Sequence, residues 1–385
     1  MPSLSLAIVL AVTLRVLDWR VEGAIVPVRL TRGQGISSSQ VTTHGSCRFV
    51  TLTAERDDRD FWFARFSIGA SRNLSILIDT GSTDLLLNPD VYRPSKSAIA
   101  LSRPFSMRYG TVNSDGSGEE TVRRDICSRE GVSDHGRTQV NGTVFQDTVS
   151  LDNTDFSVPL QSLGVTTSIS PGPRPPFPHD GLMGFFIPGS AFGEEVPNWF
   201  SSLCRQPSIL DECRFGLALE PSTESAFLYL GGVEQSRYAG ALSTAAMHER
   251  YVFGDVAVGG RIIHRDAAIM VDSGTTVSWG PIESVQQLFD AAGIRSIRRH
   301  NSTTLTTTLD GVYPCDTPPR LGFGFPSVSN ALEARSSRLS VVSHASKVFD
   351  MLPAALAEHS DDQGNCTASI HGIDQEGDSW ILGQG

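Results

Sequence analysis

The chain has 385 residues, 31 of them basic and 42 acidic, for a formal net charge of −11. Its 36 glycines and 21 prolines exclude coiled coils and helical repeats, whose long helices such residues interrupt. The acidity removes the electrostatic footprint of a nucleic-acid binder, and at about 150 residues per domain the length predicts two to three domains or one large two-lobed body.

Residues 4–14 (LSLAIVLAVTL) form an apolar run too short to span a bilayer but suited to the core of an export leader. With Gly23 ahead of Ala24, residues 1–23 read as a signal peptide; the alternative is a buried strand or helix. No other stretch is long and apolar enough to cross a membrane. Short apolar or alternating runs follow at 61–68, 75–78, 143–151, 215–219, 226–230 and 267–271, separated by Gly, Pro, Asn and Ser clusters. That rhythm predicts a mainly β protein. Helical periodicity is confined to a few places, notably 282–292 and 348–357. Residues 113–137 read as a charged, Gly-punctuated insertion and 168–179 as a Pro-rich loop.

Six cysteines (Cys47, Cys127, Cys204, Cys213, Cys315, Cys366) contain no CxxC pair, which in an exported chain favours disulfides over zinc. Four Asn-x-Ser/Thr sequons begin at Asn73, Asn141, Asn301 and Asn365 and agree with export. The nine histidines show no metal-ligand spacing, so neither a metal nor another cofactor is expected.

The informative feature is an internal repeat. Ile76-Leu-Ile-Asp79-Thr80-Gly81-Ser82-Thr83 returns 193 residues later as Ile269-Met-Val-Asp272-Ser273-Gly274-Thr275-Thr276. A second pair follows in the same order, Leu182-Met-Gly184 and Ile381-Leu-Gly383. Two lobes built on one plan are the economical reading. In each copy a buried apolar strand delivers a carboxylate into a tight turn, where glycine allows close backbone approach. Lobes packed face to face would bring Asp79 and Asp272 together. Carboxylates that close cannot both ionise, so the pair would share one proton and work as base and acid on a water. HExxH, GxSxG, P-loop and GxGxxG signatures are absent from the sequence.

On these paired loops, the chain from Phe61 onward resembles the pepsin-like aspartic endopeptidases. The resemblance implies an all-β, bilobal acid-protease fold with its active site in the cleft between the lobes. It implies an N-terminal lobe over 60–236, a C-terminal lobe over 237–385, and a short propeptide over 24–59 that begins Ile25-Val-Pro-Val. Asp79 and Asp272 match the catalytic pair, Ser82 and Thr275 the hydroxyls bonded to them, and Thr80 and Ser273 the residues that cross-brace the loops. Gly81 and Gly274 are the loop glycines, and Gly184 and Gly383 those of the strands passing behind each loop. Phe105-Ser-Met-Arg-Tyr109-Gly110-Thr111 resembles the flap that closes over substrate, with Tyr109 as its tyrosine. Spacing suggests the pairs Cys204–Cys213 and Cys315–Cys366, which loosely resemble lobe-internal bridges of the family, and leaves Cys47 with Cys127 out of the 15 connectivities that six cysteines allow.

The sequence also departs from the family pattern. Leu86 stands where the family carries Trp, seven residues after the first Asp, so the tyrosine-to-indole hydrogen bond is lost. Gly69-Ala-Ser replaces Gly-Thr-Pro, and the family continues beyond the second apolar-apolar-Gly, so the C-terminal lobe is read as incomplete. The expected function is a secreted, monomeric endopeptidase that takes extended peptides at acid pH. The alternatives are a catalytically impaired peptide-binding protein on the same fold and an inactive truncated chain.

Overall fold

The computed structural model describes residues 10–13, 26–29, 41–44, 47–51, 61–110, 137–170, 177, 179–186, 189–193, 195–206, 209–219, 227–233, 242, 245–248, 250–301, 306–325, 347–374 and 378–384, with the backbone alone for 10–51, 108–110, 137–138, 169–170, 301 and 306. Two compact units divide near residue 238. Both are built from sheets.

The first unit holds a seven-stranded sheet among the described residues, in the order Ser157–Ser170, Leu85–Leu87, Gly181–Gly184, Ser71–Asp79, Phe63–Ile68, Arg137–Leu151 and Ile99–Gly110. In Phe63–Ile68 buried residues mostly alternate with half-buried ones, as an antiparallel strand requires. In Ser71–Asp79 every residue from Leu74 to Asp79 is buried, because this strand also has a parallel partner, Gly181–Gly184. The two strands meet in a tight turn at Gly69, whose φ of 58° favours glycine and where a Cβ would lie 2.4 Å from Asp147 Oδ2. Beneath the sheet, Trp199 stands edge-on to Phe66 with ring centroids 5.3 Å apart, and Phe185, Phe200 and Phe215 pack around them. The helix Trp199–Cys204 that supplies this tryptophan is capped by Asn198, whose Oδ1 accepts from Ser201 N at 2.8 Å. Cys204, at its end, is disulfide-bonded to Cys213.

A second, six-stranded sheet of this unit runs Leu10–Thr13, Arg214–Ala218, Phe227–Leu230, Val26–Arg29, Cys47–Thr51 and Val41–His44. Part of the expected leader and part of the expected propeptide are therefore strands here: Leu10 pairs with Leu217, and Val26 with Leu230.

The second unit is one twelve-stranded sheet among the described residues. Its centre runs Tyr251–Val258, Arg261–Val271, Ser379–Leu382, Ser278–Pro281, Ile370–Ile373 and Thr306–Pro314. Residues 282–292, expected to be helical, form the helix Ile282–Ala292. It buries Val285, Leu288 and Phe289 against a core that includes Leu309, Tyr313 and Trp380, and it stops at Gly293 in the left-handed region (φ 71°). Cys315 and Cys366 are joined across the sheet.

The second helical expectation, 348–357, is corrected. Lys347–Asp350 is a strand paired with Leu321–Phe325, a single turn follows at Pro353–Leu356, and Ala357–Ser360 is again a strand. Val348 and Phe349 fit a pleated surface, and Pro353 is suited to a first helical turn but not to the interior of a ten-residue helix.

Candidate active site

Each repeated loop begins where an apolar strand runs out. In the first unit Ser71–Asp79 ends at Asp79, which is 1% exposed. Its Oδ1 accepts from Gly81 N at 2.8 Å, and its Oδ2 accepts from the Ser82 hydroxyl. In the second unit Arg261–Val271 leads into Asp272, also 1% exposed. Oδ1 of Asp272 accepts from Gly274 N at 2.7 Å and Oδ2 from Thr275 Oγ1 at 2.8 Å. The two carboxylates are thus held by the same kinds of donor at the same offsets in sequence. Such donors favour the ionised form and fix the plane of each carboxylate.

The strands around each loop repeat as well. In the first unit Gly181–Gly184 is parallel to the Asp79 strand, with Gly184 opposite Asp79, and antiparallel to Leu85–Leu87. In the second, Ser379–Leu382 is parallel to the Asp272 strand, with Leu382 opposite Val271, and antiparallel to Ser278–Pro281. The outer neighbours correspond too: Leu85–Leu87 is parallel to Ser157–Ser170, and Ser278–Pro281 to Ile370–Ile373. A Cβ on Gly184 would lie 2.3 Å from the Thr83 carbonyl carbon, and one on Gly383 would lie 2.2 Å from Val277 O. Both glycines let a strand pass against the back of a carboxylate loop.

Residues 61–385 match the family model of the eukaryotic aspartyl proteases. The chain belongs to the eukaryotic aspartyl protease family. It is 27% identical to secreted aspartyl protease 1 of Malassezia globosa over 69% of this chain and 58% of that protein. It is 26% identical to an aspartic protease of Phaffia rhodozyma over 77% of this chain and 69% of the relative. The chain therefore spans somewhat less than two thirds of the first relative's length and slightly more of the second's. The crystal structure of the aspartic proteinase from Irpex lacteus shares the fold, with a TM-score of 0.58 over 84% of this chain and 88% of that one, at 17% identity.

In this member of the family, Thr80 and Ser273 are buried beside their aspartates. Tyr109 and Gly110 end the strand Ile99–Gly110, opposite Thr138 and Arg137; their side-chain environment, and Thr111 altogether, lie outside the described residues. So do Cys127 and the side chain of Cys47, which begins the strand Cys47–Thr51. Leu86 is fully buried. It converges with Phe105 and Phe192 on Gly164, where a Cβ would approach their side chains to 2.7–2.9 Å. An apolar contact thus occupies the place of the family's indole, beside the strand that leads to Tyr109.

Three supports escaped the sequence reading. Asp84 is buried and accepts from Ser190 Oγ at 2.5 Å and Ala191 N at 3.0 Å, tying the Asp79 loop to the turn that carries Phe192. Gln384 donates from its backbone N to Thr275 O at 2.9 Å and from its side chain to Ser273 O, clasping the Asp272 loop. Position was the available signal, since one follows Asp79 by five residues and the other directly follows Gly383.

The third support is His371, 1% exposed, whose ring nitrogens lie 3.0 Å from Asp310 Oδ1 and 3.0 Å from Glu358 Oε2. Burial alone would lower its pKa, but hydrogen bonds and charge from Asp310 and Glu358 outweigh it and raise the value from 6.5 to about 9. His371 sits opposite Trp279, seven residues after Asp272, with ring centroids 5.0 Å apart. An indole is therefore present at the offset that Leu86 fills in the first unit.

Proposed function

We propose that this protein is an aspartic endopeptidase that cleaves extended peptides at acid pH with a water activated between Asp79 and Asp272. One observation supports the reading above others: the two aspartates are buried and held by matching donors, a glycine N–H on one oxygen and a Ser or Thr hydroxyl on the other. With one proton shared by the pair, the ionised carboxylate removes a proton from the water as its oxygen attacks the peptide carbonyl carbon. The protonated carboxyl hydrogen-bonds the developing oxyanion, and collapse of the adduct breaks the C–N bond as the leaving amine takes up a proton. Gly81 and Gly274 give the loops their close turns, Thr80 and Ser273 brace them, and the flap of Tyr109, Gly110 and Thr111 covers the bound peptide. Secretion, with removal of residues 1–23, suits the disulfides and the name of the relative from Malassezia globosa.

The test is casein or peptide hydrolysis across acid pH by the purified chain and by its Asp79→Asn and Asp272→Asn variants, with a chelator and a serine-acylating reagent as controls. Loss of turnover in both variants, with neither reagent inhibiting the parent protein, is expected. Inhibition by either reagent, or turnover surviving in either variant, would overturn the mechanism.

A further inference from the structure

The four sequons are equal in sequence, but the fold treats the described ones differently. Asn73-Leu-Ser75 lies just past the hairpin turn at Gly69. The register slips between Phe66 and Ile68, so Arg72 and Asn73 together oppose Ser67 in a bulge. Asn73 takes the left-handed backbone (φ 56°) that asparagine tolerates, and its side chain is exposed. Its backbone oxygen accepts from Arg65 Nη1 at 3.2 Å, while its side-chain amide has no hydrogen-bond partner among the described residues. On the strand's other side, pairing with Gly181–Gly184 begins only at Ile76. The carboxamide therefore stands at an open corner of the sheet.

The other two described side chains are committed. Asn141 is half-buried within Arg137–Leu151, with Ser106 opposite it on one side and Ser168 on the other. Its Nδ2 donates to Ser168 Oγ at 3.4 Å and its Oδ1 accepts from Gln139 Nε2 at 3.3 Å. Asn365 donates from Nδ2 to Asp361 Oδ2 at 2.9 Å, and the next residue, Cys366, is tied to Cys315. A sugar on either amide would have to share space with these partners, whereas at Asn73 it displaces nothing.

We infer that the open bulge after Gly69 is a modification site, with Asn73 carrying an N-linked glycan and Asn141 and Asn365 carrying none. The inference rests on the secreted reading, because the transfer occurs in the lumen of the export pathway. There a lipid-diphosphate-linked oligosaccharide is the donor. A bond forms between Asn73 Nδ2 and the anomeric carbon, the bond from that carbon to the phosphate oxygen breaks, and the lipid diphosphate leaves while the amide gives up one proton. Timing follows from Ser75, which is only 5% exposed and whose backbone is bonded to Asp180 in both directions, N to Oδ2 at 2.7 Å and O from N at 3.2 Å. The sequon hydroxyl is reachable before the sheet closes and sealed afterwards, so the glycan is added to the nascent chain; a chain that takes one at Asn141 or Asn365 at that stage cannot re-form their folded contacts and is not exported.

The full chain is to be expressed in a eukaryotic secretory host in two forms, one with its own N-terminus and one behind the host's leader. Protein from the medium is deglycosylated enzymatically in heavy-oxygen water and mapped by peptide mass. Labelled Asp at position 73 in most molecules, with Asn141 and Asn365 unlabelled, is expected, as is the loss of one glycan's mass in Asn73→Gln. Host-leader protein exported with Asn73 unlabelled, or with Asn141 or Asn365 labelled in most molecules, would overturn the inference and leave the secreted reading standing. Label at Asn73 only in the host-leader form, with the native form retained inside cells, would instead overturn the secreted reading. Should Asn73→Gln fail to fold, the label on the parent protein decides alone.

Discussion

At the scale of single residues, the most constrained positions carry no functional group at all. Gly184→Ala would drive a methyl against the Thr83 and Ser82 backbone and push the Asp79 loop forward. Misplacing a catalytic group by about 1 Å costs on the order of 100-fold in rate, so turnover should fall by at least that, with a stability loss of about 1–3 kcal/mol. Normal turnover in this variant would show that the loop does not depend on the strand behind it. His371 makes a separate prediction. A histidine whose pKa is raised from 6.5 to about 9 by folding contributes stability that is complete below 6.5 and lost as pH climbs through 9. His371→Leu removes a cation from half-buried Glu358 and from buried Asp310, which keeps Arg299 Nε at 2.5 Å, and should cost about 1.5–3 kcal/mol near pH 7. Denaturant unfolding of parent and variant should show this gap narrowing at pH 10, where the parent's imidazole is neutral; a gap that stays constant would refute the ion-pair account.

At the scale of elements, the strand that leads to Tyr109 rests on Phe105, Phe192 and Leu86 in an apolar contact with no spare volume at Gly164. Replacing Leu86 by the family's tryptophan should therefore destabilise the protein, by about 1–3 kcal/mol, since an indole overpacks a site whose neighbours have already closed in. Thermal melting of Leu86→Trp is the measurement, and an unchanged or higher melting temperature would mean the pocket can open. Elements also mark where the sequence was legible. The helix Ile282–Ala292 could be read from its apolar spacing because one face meets one core. Residues 348–357 could not, because Val348 and Phe349 satisfy a helical period by accident and are claimed by a strand partner, Leu321–Phe325, more than twenty residues upstream. Asp84, Gln384 and His371 were hidden for the same reason: their partners are remote in sequence, and only position near a repeated motif marked the first two.

At the scale of the whole molecule, the twin loops were the part of the site written openly in the chain, because a carboxylate turn is local and its copies can be compared. If the two aspartates act as one unit, Asp79→Asn and Asp272→Asn should reduce kcat by similar large factors, and the rate should follow a bell-shaped profile confined to acid pH. Activity that rises through neutral pH would contradict a shared proton. The matching strand orders around the loops were not readable from sequence. Each joins segments about a hundred residues apart, as Asp79 to Gly184 and Asp272 to Leu382. That separation has a consequence in time. Closing so long a loop is slow compared with forming a hairpin, and it cannot begin until the later strand has been synthesised. The backing of Asp272, which waits for Ser379–Leu382, is therefore among the last features its unit acquires. During synthesis the chain carries its carboxylates without the frame that aligns them, and that frame is complete only when the strands leading to Gly184 and Gly383 have threaded into place behind them.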